Sequence, residues 1–313
     1  MKIPVVFWHG GSFNLVNFGI FAAIGSMLGY SISFFYLQTR GVQIDQFCWA
    51  MVVILNLFNL LFAKLYAIFS IGFFNYFRNF RHYFNETSFY HQGGMIGFIL
   101  GTILLSVWLD IPLAMFGDAV CLGGIVTMSI GRIGCHHYGC CTGKPINGRW
   151  ATKYNDPDAK ICRDDPGFLN TPLIPAQLIA SFLDFLIFIV CCAISIVYPF
   201  SGLIIVIFFL CVNLKRIIIQ KFRLKPPTNK IPYRLIAFSI LVSIVLIILF
   251  FHYKGELFFE KISPKTPFTL FNYFRFWGAD LNILASLILV AVTNFAAYGI
   301  HGRRIGTHFN LTA

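Results

Sequence analysis

Long apolar runs separated by short polar clusters set the pattern of this chain. The runs fall near 14–37, 46–74, 93–109, 113–130, 174–197, 200–221, 233–252 and 281–299, each about the length a helix needs to cross the hydrocarbon of a bilayer. They predict an all-α integral membrane protein of about eight transmembrane helices, folded as a single polytopic membrane domain over 1–313. Gly19, Gly25 and Gly29 in the first run are small residues that allow close helix contact. Asp110-Ile111-Pro112 makes a tight reversal between the third and fourth runs. Two connections are long. Residues 141–173 carry five basic residues, four aspartates and glycine and proline breaks, and predict a small extramembrane head. Residues 254–280 interleave aromatic residues with Lys261, Lys265 and Arg275, and predict a segment lying at the membrane interface. Neither is long enough for a separate enzymatic domain. The start lacks the features of a removable signal peptide, so the first spanning helix is expected to act as its own insertion signal.

Composition sharpens this reading. The chain is 58% hydrophobic and 12% charged, with a mean hydropathy of +0.75, which excludes an ordinary soluble domain. Its net charge of +12 suits a bilayer with anionic headgroups, although many of these charges need only fix topology. No nucleic-acid partner and no cofactor are expected. Of nine cysteines, Cys48, Cys121, Cys191, Cys192 and Cys211 lie in apolar runs, where cysteine is usually a small hydrophobe. Cys135, Cys140, Cys141 and Cys162 lie where chemistry is plausible.

The densest chemistry is in residues 131–145, which gather Arg132, His136, His137, Cys135, Cys140, Cys141 and four glycines directly after an apolar run. Each glycine costs a helix interior about 1 kcal/mol, so the stretch reads as a shaped turn where a helix ends, facing a polar pocket. Asp118 precedes Arg132 by fourteen residues on one face of the same predicted helix, about 21 Å away, too far to pair. Arg216, Gln220 and Arg223 line one face of the sixth helix end, and guanidinium forks suit phosphate oxygens. With eight alternating spans, these arginines, His91, Gln92, Arg132, His136 and His137 fall on one side of the membrane. The cysteine cluster leaves three readings open. It could hold zinc, although its spacing matches no common CxxC pair, and no metal ligand set is assigned. It could form a disulfide, for example to Cys162, or serve as a thiol nucleophile or plain packing.

The pattern resembles a known family, the bacterial prolipoprotein diacylglyceryl transferases, over roughly residues 15–225. Gly131-Arg132-Ile133-Gly134, followed by Gly139 and Gly143, resembles the signature Gly-Arg-(Leu/Ile)-Gly-Asn-Phe-x-Asn-Gly-Glu-x-x-Gly. Gly93-Gly94-Met95-Ile96-Gly97 resembles His-Gly-Gly-(Leu/Met)-Ile-Gly, and Pro175-Ala176-Gln177-Leu178 resembles Pro-x-Gln-Leu. Asp118 stands at the family's spacing before the signature arginine, and Arg216 to Arg223 resemble Arg-x-x-x-Glu-x-x-Arg. The departures are specific. The histidine before Gly-Gly is Gln92, with His91 one place earlier; the signature asparagine and glutamate are Cys135 and Cys140; the first-helix tyrosine is Phe18; the second-motif glutamate is Gln220; and an eighth helix exceeds the usual seven.

The resemblance implies transfer of a diacylglyceryl group from phosphatidylglycerol, or a related anionic phospholipid, to the thiol of a prolipoprotein's lipobox cysteine. His91, Gln92, Arg132, His136, His137 and Arg216 are the expected catalytic positions. Gly93, Gly94, Asp118, Gly131, Gly134, Cys135, Cys140, Gly143, Gln177, Gln220 and Arg223 are the expected substrate-binding ones. The arginines would neutralise the departing phosphate and a histidine would take the acceptor's proton. Because the altered positions are those nearest the chemistry, the acceptor need not be a lipoprotein cysteine. The family-like core is followed by a C-terminal extension, 226–313. The positive-inside rule alone would put the signature face in the cytoplasm. The resemblance puts it outside a bacterial inner membrane, and substrate-binding arginines account for the excess. Two rival classes remain in view, a membrane thiol-redox protein and an anionic-lipid binding or transport protein.

Overall fold

The computed structural model describes residues 5–11, 13–80, 91–224, 231–252, 261, 264–266, 268–277, 280–302 and 305; at His91 and Gln92 the backbone alone is described. Its helices are α1 (Asn17–Thr39), α2 (Ile44–Ile71), α3 (Phe73–Arg78), α4 (His91–Trp108), α5 (Leu113–Tyr138), α6 (Lys160–Asp164), α7 (Ala176–Val197), α8 (Leu203–Phe222), α9 (Ile231–His252), α10 (Leu270–Trp277) and α11 (Leu281–Gly299). Six of these, α1, α2, α5, α7, α8 and α11, are long and apolar enough to span a membrane, and Gly93–Trp108 and Ala237–His252 are shorter apolar helices. All eight apolar runs of the sequence are therefore helices of an all-α membrane protein. Side chains such as Val107, 78% exposed, and Phe182, 61% exposed, point outward from them, as lipid-facing residues do.

Small residues bring the helices together, since lipid gives apolar side chains no reason to leave it. On α1, a Cβ at Gly29 would lie 2.6 Å from the Gly123 carbonyl oxygen of α5, and one at Gly19 would lie 2.3 Å from the Gly299 Cα of α11. The first helix is thus clasped backbone to backbone on two sides. Hydroxyl groups reinforce this contact. Thr127 donates to the Gly25 carbonyl at 3.0 Å and Ser33 to that of Ala119 at 2.9 Å. Between α5 and α7, Ser129 and Ser181 each donate to the other's carbonyl. Asn56 on α2 bonds Thr293 and Asn294 on α11.

Two small sheets depart from the helical pattern. Strands β1 (Val6–His9) and β2 (Phe13–Val16) form a hairpin, and β5 (Ile300–Gly302), leaving α11, pairs antiparallel with β2. Strands β3 (Thr152–Lys153) and β4 (Pro172–Leu173) close the segment between α5 and α7 into the expected head, which also holds α6. Val5, Val16, Tyr154, Ala159, Ile161, Cys162 and Leu173 pack as one buried cluster, so the N-terminal hairpin and the head are a single cap over one end of the bundle. The C-terminal residues are integral to it: α11 packs against α1 and α2, and β5 completes the sheet. At the opposite end α10 buries Phe276 and packs Tyr273 against Phe35, while Leu270 and Phe271 stay exposed. This is the shape expected of an interfacial helix.

Candidate active site

The sequence places the helix break at Gly131, and the structure moves it to Gly139. Helix α5 continues through Tyr138 and ends where Gly139, at φ 75°, takes the left-handed conformation, with the Cys140 amide bonded to the Cys135 carbonyl at 3.1 Å. This is the usual way a glycine stops a helix. The earlier glycines are accommodated because their missing side chains are used. Gly134 lies against Phe18 and Phe21 of α1, where a Cβ would meet them at about 3 Å, while Gly131 has nothing within 4 Å.

Beyond Gly139 the backbone is pinned on both flanks. Gln177, at the start of α7, donates to the Cys140 carbonyl at 2.6 Å and to the Tyr154 hydroxyl at 3.2 Å. Gly143 donates to the Ile174 carbonyl, Lys144 to that of Phe222, and Leu224 to that of Thr142. The end of α8 is thereby stitched to the turn, and Gly143 is enclosed by Ile174 and the Phe222 carbonyl. Side counting in the sequence had set 131–145 and 216–223 on one face, and the structure brings them into direct contact. An apolar cleft of about 330 Å³, lined by residues including Trp150, Ile174 and Ile179, opens beside this turn.

Within this frame Cys135, Cys140 and Cys141 place their three Sγ atoms within 4.8 Å of one another. Cys141 adopts φ 58°, a conformation that costs a non-glycine residue about 1 kcal/mol or more. Hydrogen bonds from Cys135 and Cys140 hold its thiol well below the ordinary range, and the Arg132 and Arg223 guanidiniums add to this. Cys140 is pushed up by its bonds to Cys135 and Cys141 and by burial. All nine cysteines are free, which corrects the expected disulfide to Cys162. That thiol is buried in the head and points to the Tyr154 carbonyl, because the fold directs the other three toward one another.

Arg132, Arg216 and Arg223 make no side-chain hydrogen bond or carboxylate ion pair among the described residues. Arg216 is exposed on α8, Arg223 half-buried, and Gln220 between them buried with its Oε1 unpartnered. Next to Arg216, and about 12 Å along α8 from Arg223 at 1.5 Å per residue, Lys215 donates to Asp184 of α7, both buried. Arg132 lies within range of both charges. Sequence reasoning missed this pair, although a lysine and an aspartate inside spanning runs are a signal in themselves.

The two histidines part company. His136 is buried beside Tyr154, whose hydroxyl donates to the His136 carbonyl at 3.1 Å. His137 lies tilted against Phe21, ring centroids 4.8 Å apart, with its Nδ1 buried and without a hydrogen-bond partner among the described residues. Other expected site positions lie apart from the cluster. Asp118 sits at the far end of α5, where it accepts the Gly202 and Ile205 amides at 2.7 and 2.9 Å and so caps α8. Gly93 and Gly94 are buried against Phe62 and Asn59 of α2, which gives them a packing role. The His91 and Gln92 side chains lie outside the described residues.

The face thus presents buried amides, thiols and arginines that form no carboxylate ion pair among the described residues, at the head of a lipid-embedded bundle. Among curated proteins, none matches the chain. A family model described as prolipoprotein diacylglyceryl transferase matches residues 4–253. That span takes in every element of this face except α11 and β5, and the chain belongs to the prolipoprotein diacylglyceryl transferase family, as a multi-pass bacterial membrane transferase of lipoprotein biosynthesis.

Proposed function

We propose that this enzyme takes the diacylglyceryl group from phosphatidylglycerol and transfers it to a thiol, that of a prolipoprotein's lipobox cysteine. The observation that carries the reading is the set of arginines, Arg132, Arg216 and Arg223, without carboxylate partners among the described residues at one end of the bundle. A guanidinium forks two donors onto phosphate oxygens, and one exposed on a spanning helix, as Arg216 is, meets a lipid headgroup arriving sideways from the bilayer. Arg132 and Arg223 then hold the phosphodiester. The acceptor sulfur attacks the glycerol methylene, a C–S bond forms, and the C–O bond to phosphate breaks with its electron pair leaving on glycerol phosphate. The arginines stabilise that departing charge, the role that contributes most in such sites. The acceptor's proton goes to a histidine, His91 or His137, whose Nδ1 is unpartnered. Asp118 belongs to the scaffold. The site faces outward from the inner membrane, where prolipoproteins emerge.

The experiment is complementation of a bacterium depleted of its own transferase, with phosphatidylglycerol consumption and acceptor modification followed by mass spectrometry. Rescue abolished by Arg132→Ala is the expected result. Lipid binding without consumption would reassign the protein to binding or transport. Consumption without prolipoprotein modification would move the acceptor elsewhere.

A further inference from the structure

We infer that Cys135, Cys140 and Cys141 form a three-thiolate site for a thiophilic divalent cation of the zinc class, with one coordination position left open. A tetrahedral Zn²⁺ with bonds of about 2.3 Å sets its sulfurs about 3.8 Å apart. The three Sγ atoms already lie within 4.8 Å of one another, so closing on the ion takes a movement of about 1 Å at most.

The site is built rather than accidental. Gly139 turns the chain back so that Cys140 returns to Cys135, and the left-handed backbone at Cys141 brings the third sulfur in. The Gln177 side chain and the Ile174 and Phe222 carbonyls fix both flanks of the turn by hydrogen bonds to its backbone. Ordinary cysteine packing would need none of this, and the surroundings are not apolar, since Arg132 and Arg223 lie within electrostatic range of the trio. Those guanidiniums offset the charge that three thiolates bring to one cation. With the ion in place the cluster keeps a net positive charge toward a phosphate. No fourth protein donor joins the group among the described residues, so the remaining position is open to water or a substrate group.

The sulfur geometry carries the site by itself; its use rests on the transferase reading. A substrate thiol entering the open position would lose its proton to solvent or a histidine and be held as a metal thiolate, a nucleophile at neutral pH.

The test is metal content and thiol reactivity of the full-length protein in detergent, purified under reductant and equilibrated with Zn²⁺. We expect about one zinc per chain after desalting, as for a site of three protein ligands with the fourth position open. C135S, C140S and C141S should each lose most of it, while C162S and C211S keep it. Should a serine variant fail to fold, the wild type decides alone: zinc should protect three thiols from a disulfide reagent, and Cd²⁺ should give a thiolate-to-metal charge-transfer band. Zinc well below stoichiometry with the same reactive thiols in its presence and absence would overturn the site. So would mass mapping that finds a disulfide within the trio and no metal. Stoichiometric zinc with no lipid consumption upholds the site and sinks the transferase reading. Transfer by metal-free protein whose thiols zinc does not protect does the reverse.

Discussion

Lys215 and Asp184 form a buried ion pair across α7 and α8, and the second carboxylate oxygen of Asp184 has no hydrogen-bond partner among the described residues. A pair in such a setting is costly to break, because the surviving charge is stranded. Lys215→Met should lower stability by about 3–5 kcal/mol, whereas Lys215→Met with Asp184→Leu should recover most of it. Thermal unfolding in detergent measures both. Equal destabilisation by the single and double variants would show that the pair is not mutually neutralising.

Asp118 supplies the acceptor for two amides at the start of α8, at the membrane end remote from Arg132. Asp118→Ala should cost about 2 kcal/mol through the lost cap and the orphaned amides. Phosphatidylglycerol affinity of the protein that remains folded should be unchanged. A fall in affinity with unaltered melting would assign Asp118 to the lipid site instead.

Two glycines on α5 should behave oppositely. A side chain at Gly123 would meet the Gly29 carbonyl oxygen at 2.3 Å, while one at Gly131 meets nothing within 4 Å. Gly123→Ala should prise α1 from α5 and cost about 2 kcal/mol or more; Gly131→Ala should fold normally. The comparison is again one of melting temperatures.

His301, in β5, is held down to about 4 from an ordinary 6.5 by burial and by Arg163. Between those values the unfolded chain binds a proton that the folded one refuses, so stability is full above about pH 6.5 and falls as pH drops toward 4. His301→Gln should flatten that part of the profile relative to wild type. Parallel slopes for the two proteins would rule out His301 as the source.

The spanning helices were legible because hydrocarbon demands about twenty apolar residues at a stretch. The convergence of Arg132 with Arg223 followed from counting sides. The end of α5 was misread because a propensity argument prices Gly131 and Gly134 by their cost alone, whereas Gly134 is where Phe18 and Phe21 lean on the helix. The sulfur cluster was hidden for another reason. Positions 135, 140 and 141 match no helical or CxxC spacing, and only the left-handed turn at Gly139 folds the last two back onto the first. The pairing of β2 with β5 left no mark at all, since its partners lie at opposite ends of the chain.

That last pairing bears on how the protein is made. Asn14 donates to the Gly302 carbonyl across a sequence separation of 288, and the ring of His301 meets that of Tyr138, directly before the helix-ending glycine. Membrane insertion proceeds from the N-terminus, so the cap over the cysteine turn stays unfinished until α11 has entered the bilayer and β5 has followed it. By this arrangement the cover over the cysteine turn is completed by a strand that follows α11, so the site is assembled only once the bundle has closed.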